Sequence, residues 1–147
     1  MADPQHRLNQ MIKVLKDKGH RLTPQRLAVL KILAKSKGHP SVETIFDEVK
    51  AMFPTTSLAT VYNTINLLKN AHEVLELGFH TLGSRYDGNK PYPHPHAICT
   101  GCGEIVDPEC PSLEDLTREM SSRTGFIITR HEVYFFGLCP RCQEKGK

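Results

Sequence analysis

At 147 residues, with 24% charged and 7% aromatic residues and no tryptophan, the chain suffices for one or two small domains and is too short for an enzyme with a large substrate chamber. No stretch reads as a secretory signal or as an apolar run that could span a bilayer, which predicts a cytoplasmic, reducing setting and excludes a membrane partner. The net charge of +3 is unevenly spread: residues 1–86 carry 12 Lys and Arg against 7 Asp and Glu, whereas residues 87–147 carry 7 against 9.

The basic excess lies early, with nine cations and a single acid, Asp17, between Arg7 and Lys37. Leu8, Met11, Ile12 and Leu15 recur at helical spacing ahead of Gly19, which predicts a first helix stopped by glycine. Thr23-Pro24 supplies a capping hydroxyl and a proline for the first turn of a second helix, with Leu27, Leu30, Leu33 and Ala34 inward. The loop Lys37-Gly38-His39-Pro40 leads to a third helix burying Val42, Ile45, Phe46 and Val49, stopped by Phe53-Pro54. Ser57 then caps a fourth, with Leu58, Val61, Ile65 and Leu68 inward. Its other face offers Ser57, Thr60, Asn63 and Thr64, with Tyr62 at the border. Short hydroxyl and amide side chains near a helix start can bond base edges and phosphates, and the basic stretch Lys18 to Arg26, with Arg21 and Arg26, would have to lie nearby to supply phosphate contacts. The competing reading is a solvated helix face. Two short strands around Gly78, spanning Val74 to Leu77 and Phe79 to Tyr86, complete the order of a winged helix-turn-helix. Double-stranded DNA is the partner that this order and the charge split predict.

Residues 87–95 are rich in Gly, Asn and Pro and read as a linker or its edge. Beyond them, His96-Ala97-Ile98 and Glu104-Ile105-Val106 read as strands flanking Cys99-Thr100-Gly101-Cys102-Gly103. A helix from Ser112 through Leu113, Leu116 and Met120 should end near Gly125. Phe126-Ile127-Ile128 and Glu132 to Phe136 then read as strands that lead into Cys139-Pro140-Arg141-Cys142. The expected architecture is α+β: a winged-helix domain over 1–86 and a smaller α/β domain over 87–147, whose strand edges favour self-association.

Two Cys-x-x-Cys pairs separated by 36 residues suit the four-sulfur shell of a structural zinc ion, the alternatives being two disulfides or loose thiols. His94 and His96 would share one side of an extended strand, with Asp107 close behind in sequence. Two imidazoles and a carboxylate could hold Fe²⁺, Mn²⁺ or Zn²⁺. A surface pair is the bland reading of His-x-His. If His39 and Asp87 joined the set, the ion would clamp the two halves together.

Taken together, Arg21-Leu22-Thr23-Pro24-Gln25-Arg26, Ala59-Thr60-Val61-Tyr62-Asn63, His94-x-His96-x-x-Cys99-x-x-Cys102-Gly103-x-x-x-Asp107 and Cys139-x-x-Cys142 resemble the ferric uptake regulator family over almost the whole chain. The resemblance implies a homodimeric transcriptional repressor with a winged-helix DNA-binding domain and an α/β dimerisation domain. It implies structural Zn²⁺ at Cys99, Cys102, Cys139 and Cys142, and regulatory Fe²⁺ or Mn²⁺ at His39, Asp87, His94, His96 and Asp107. Asp107 and Asn63 are similar to the peroxide-sensing branch, in which iron-driven oxidation of a ligand histidine, His39 or His94 here, releases the metal and then DNA. Pro95 stands where iron-sensing members often carry aspartate, so His131 is expected to be structural or solvent-exposed. Cys110 matches no position of the family pattern and reads as a partly exposed thiol. An iron, zinc or nickel sensor of the same family is the nearest alternative. A non-haem iron enzyme is a distant one, and the expectation is that the protein is not an enzyme.

Overall fold

The computed structural model describes residues 3–79, 83–90, 94–108 and 113–146. The chain divides into two compact units, Met1–Tyr92 and Pro93–Lys147, so the break falls a few residues beyond the 86/87 boundary expected from composition.

The first unit holds α1 (Pro4–Asp17), α2 (Pro24–Lys35), α3 (Val42–Met52) and α4 (Leu58–Asn70), then an antiparallel hairpin of β1 (Leu75–Phe79) and β2 (Gly83–Asp87). Each helix begins at a side chain that accepts backbone N–H bonds: Asp3, Thr23, Ser41 and Ser57. Such a cap stabilises a helix by about 1 kcal/mol. Prolines at the starts of α1 and α2 bring φ angles already suited to the helix. The expected inward stripe of α2 proves too narrow. Ala28, Val29 and Ile32 are buried as well, because α2 packs against α1, α3 and α4 together. Met11, Leu15, Leu30, Leu33, Ile45, Val61, Ile65 and Leu68 fill the core between the helices, and Tyr86 enters it from β2.

Two expectations for α4 are corrected. Leu58 is 40% exposed, because burial on this helix begins only at Val61. Thr64 is fully buried: it lies three residues after Val61 and four before Leu68, inside the packed arc, and its hydroxyl donates to the Thr60 carbonyl at 2.9 Å. Gly78 is also no turn. It sits within β1 opposite Ser84, and Phe79 pairs with Gly83, so the connection covers residues 80–82, which lie outside the described residues.

The second unit is a three-stranded sheet in the order β4 (Ile105–Val106), β3 (His96–Cys99), β5 (Tyr134–Gly137), with α5 (Glu114–Thr124) and α6 (Pro140–Lys145). β3 runs antiparallel to β4 and parallel to β5, and α5 lies on the crossover that parallel pairing requires. Gly125 ends α5 in the left-handed conformation at φ 74°. The expected strand Phe126-Ile127-Ile128 does not join the sheet. It pairs with no strand among the described residues, and Ile127 is 92% exposed. The helix α6 was not expected; Pro140 opens it immediately after Cys139. Cys110 and Ser112 lie outside the described residues. Among the described residues no helix is long and apolar enough to cross a membrane.

Candidate metal centre

The parallel pairing of β3 with β5 sets Cys99 opposite Gly137, so the second cysteine pair emerges beside the first. Backbone bonds then shape each turn. The Thr100 N–H donates to the Gly137 carbonyl at 2.8 Å, the Cys99 N–H to Glu104 at 2.9 Å, and the Gly103 N–H back to Cys99 at 2.9 Å. Gly103 holds a positive φ of 79°, which its missing Cβ permits. Gly101 is needed for closeness, since a Cβ there would stand 3.0 Å from the Cys142 sulfur.

All four sulfurs lie within 4.8 Å of one another, and those of Cys102 and Cys139 are 3.8 Å apart. Four sulfurs placed tetrahedrally about zinc at roughly 2.3 Å are separated by about 3.8 Å. A disulfide needs about 2.05 Å, and all four thiols are free, so the disulfide alternative is removed. The electrostatics suit a cation. Backbone N–H groups of Cys139, then Cys102 and Gly101, point at the Cys99 sulfur and lower its pKa to about 6. Cys142 is pushed up to about 12, because its thiol hydrogen-bonds first to the Cys139 sulfur and then to that of Cys99. Four sulfurs this close cannot all carry charge unless a metal neutralises them. Arg141 lies 3.5 Å from Glu104, and its guanidinium is held charged by that carboxylate first and then by Cys102 and Cys139.

Imidazole and carboxylate donors occur in both units. In the first, the His39 Nε2 and Asp87 Oδ2 atoms are 3.2 Å apart, and both residues are buried. Asp87 ends β2, and its other oxygen accepts the N–H groups of Asn89 at 3.0 Å and Lys90 at 2.8 Å. That turn opens the stretch read as a linker or its edge; it is itself anchored to the helices, and the break between the units falls later in the same stretch. The Asn89 amide donates to the Ala34 carbonyl at 3.0 Å, and Arg7 donates to the Gly88 carbonyl at 2.9 Å. Arg7 also forms a 3.0 Å ion pair with Glu73.

In the second unit, His94 and His96 lie on one side of the chain, their ring centroids 4.2 Å apart. Each Nε2 stands 3.3 Å from an Asp107 carboxylate oxygen, His94 against Oδ2 and His96 against Oδ1. Strand alternation explains the placement of His96, whereas His94 lies just ahead of β3. His96 and Ile98 face inward and Ala97 outward, while the β3–β4 pairing carries the chain back so that Asp107 follows Val106 opposite His96. A carboxylate facing two imidazoles, two residues apart, suits a borderline divalent cation. His131 is half-buried in the irregular segment before β5.

Of the residues expected at a nucleic-acid face, Ser57, Tyr62 and Asn63 are exposed on α4 and Thr60 is half-buried. Arg21 is exposed before α2, and the half-buried Arg26 donates to the Arg21 carbonyl at 2.7 Å. Asn66, not singled out from the sequence, is exposed one turn beyond Tyr62 and Asn63 on the same face. Its spacing of three and four residues could have indicated it.

These features agree with comparisons to known proteins. Residues 17–136 match the Ferric uptake regulator family model. The chain is 38% identical, over 96% of its length and 95% of the relative's, to the Peroxide-responsive repressor PerR of Staphylococcus aureus. Its fold resembles a structure of the Helicobacter pylori ferric uptake regulator Fur, described as having three functional metal binding sites, with a TM-score of 0.80 and 26% identity over 97% of this chain and 95% of that one. It also resembles a zinc uptake regulator complexed with zinc and DNA, with a TM-score of 0.70 and 25% identity over 99% of both chains. A sequence match that spans both units, on a fold that carries a four-cysteine cluster, shows that the chain belongs to the ferric uptake regulator family.

Proposed function

We propose that the protein is a metal-dependent, DNA-binding transcriptional repressor that senses peroxide in the cytoplasm, a regulator and not an enzyme. The observation that carries this reading is the pairing of a closed four-sulfur cluster with buried and half-buried imidazole and carboxylate donors, in a chain 38% identical to a peroxide-responsive repressor. Cys99, Cys102, Cys139 and Cys142 hold a structural Zn²⁺ that locks β3 beside β5. His39, Asp87, His94, His96 and Asp107 together bind regulatory Fe²⁺ or Mn²⁺.

Three imidazoles and two carboxylates give five donors, which leaves room for a further ligand. Ferrous iron bound there would supply the activation of peroxide: the O–O bond breaks, one oxygen atom passes to a ring C–H of His39 or His94, which is oxidised by two electrons, and the other leaves as water. The oxidised ring is a poorer donor, so the set loosens. Because His39 and Asp87 belong to one unit and the other three residues to the second, binding biases how the two units are oriented. Shifting such an equilibrium from mostly open to mostly closed requires a preference of about 5.5 kcal/mol.

The α4 face bearing Ser57, Thr60, Tyr62 and Asn63 enters the major groove, while Arg21 and Arg26 meet phosphates. The exposed apolar side chains of the second unit, Val106, Phe135 and Leu138 among them, pack against a second copy of the chain and form the homodimer that two operator half-sites require. Peptide mass analysis after brief peroxide exposure tests the sensing step. One added oxygen on His39 or His94, in the Fe²⁺-loaded and not the Mn²⁺-loaded protein, is expected. Cysteine oxidation with zinc release ahead of it would refute the histidine mechanism, and an unmodified, still DNA-bound protein would leave a plain metal sensor.

A further inference from the structure

Arg85 lies in β2 two residues before Asp87, so both side chains leave the same face of the strand. Both reach the loop that carries His39. Asp87 meets the imidazole at 3.2 Å, while Arg85 donates through Nε to the His39 carbonyl and through Nη2 to the Gly38 carbonyl at 2.8 Å. Between them, the Tyr86 N–H donates to the Pro40 carbonyl at 3.0 Å. Three successive residues of one strand therefore hold three successive residues of the loop.

The loop needs holding. His39 adopts a φ of 52°, in the left-handed region that a side chain with a Cβ seldom occupies and that surrounding structure must enforce. Gly38, Pro40 and Arg85 also border a cavity of about 580 Å³ shared with Ser36, Ser41 and Thr44, so on that side the loop faces open space. A guanidinium is suited to the task, since its planar fork can engage two adjacent carbonyls in one fixed geometry.

We infer that Arg85 is the positioning residue for His39: by gripping the Gly38 and His39 carbonyls it holds the His39 imidazole against Asp87 in the orientation that a metal ion requires. This rests on the reading of His39 and Asp87 as ligands of the regulatory metal. Partners that orient a ligand histidine typically change metal affinity 10- to 100-fold when removed.

The test is calorimetric titration of Mn²⁺ into full-length, zinc-loaded protein, for the wild type, Arg85→Ala, Arg85→Lys and His39→Ala. Thermal unfolding without Mn²⁺ and the electron paramagnetic resonance spectrum of bound Mn²⁺ are recorded for each. Arg85→Ala should weaken Mn²⁺ binding about 10-fold or more and alter the spectrum, with an unfolding midpoint near that of the wild type. Arg85→Lys, able to reach one carbonyl, should recover part of the affinity. Wild-type affinity in Arg85→Ala overturns the inference, as does a lysine variant no better than alanine. If Arg85→Ala does not fold, Arg85→Lys is compared with Arg85→Gln: tighter binding by lysine supports the inference and equal binding overturns it. The His39→Ala control separates the two levels. Unchanged affinity there refutes the ligand reading itself, whereas lost affinity there with full affinity in Arg85→Ala refutes only the positioning role.

Discussion

Replacing Gly88 by alanine tests how firmly the Asp87 turn is built into the helical core. Gly88 has an ordinary backbone conformation, so the change acts through space alone. An added Cβ would lie 2.8 Å from the Leu33 Cβ, 3.0 Å from the Leu33 carbonyl oxygen and 3.0 Å from the end of Met11. Met11 can swing aside, but the Leu33 backbone is fixed in a helix packed against three others, so the turn itself must move. Overpacking of this kind costs about 1–3 kcal/mol. For a unit of this size each kcal/mol lowers the midpoint by roughly 4–8 °C. The loss should appear in thermal unfolding of zinc-loaded, Mn²⁺-free protein followed by circular dichroism at helical wavelengths. Gly78→Ala serves as the control, because nothing lies within 4 Å of a Cβ placed there. Its midpoint should stay close to that of the wild type. A Gly88→Ala protein as stable as Gly78→Ala would refute the tight anchoring of the turn.

Other outcomes follow from the same geometry. Cys102→Ser removes one of four sulfurs, and elemental analysis should show zinc falling from one atom per chain to a small fraction. Tyr86 is held protonated up to about 12, by burial first and then by the Glu76 carboxylate, whereas an unfolded tyrosine ionises near 10. Its stabilisation is therefore complete below pH 10 and lost as pH rises from 10 to about 12, and Tyr86→Phe should flatten that decline in urea midpoints. Thr64→Val should alter operator affinity less than about two-fold because the residue is buried, while Asn63→Ala should lose about 1–3 kcal/mol of base discrimination in fluorescence anisotropy.

Much of this was legible in the sequence where local chemistry decides the outcome. Thr23, Ser41 and Ser57 cap helices because a hydroxyl ahead of a helical run satisfies free N–H groups, whatever the tertiary context. The four cysteines converge as their spacing implied, and His94 and His96 meet the same Asp107 carboxylate, although β3 begins only at His96 and strand alternation does not reach His94. What escaped was set by packing at a distance. The buried position of Thr64 and the exposed one of Leu58 depend on where the neighbouring helices lie against α4. Gly78 reads as a turn residue, yet the register between β1 and β2 places it inside a strand. Phe126-Ile127-Ile128 has strand composition and no strand beside it among the described residues, since β-propensity reports on surfaces to pack against rather than on the backbone alone. The link from Asp87 to α1 and α2 runs through Arg7, Gly88 and Asn89, contacts between residues too far apart in sequence for any spacing rule to pair.

The proposed metal switch requires that a cation bound by imidazole and carboxylate donors governs DNA binding. It is tested most directly by the operator affinity of zinc-loaded protein with and without Mn²⁺, alongside a Asp87→Ala variant under the same conditions. Affinity should rise at least tenfold with Mn²⁺ in the wild type and remain at the Mn²⁺-free level in the variant. Equal affinity in all of these samples would refute the metal switch.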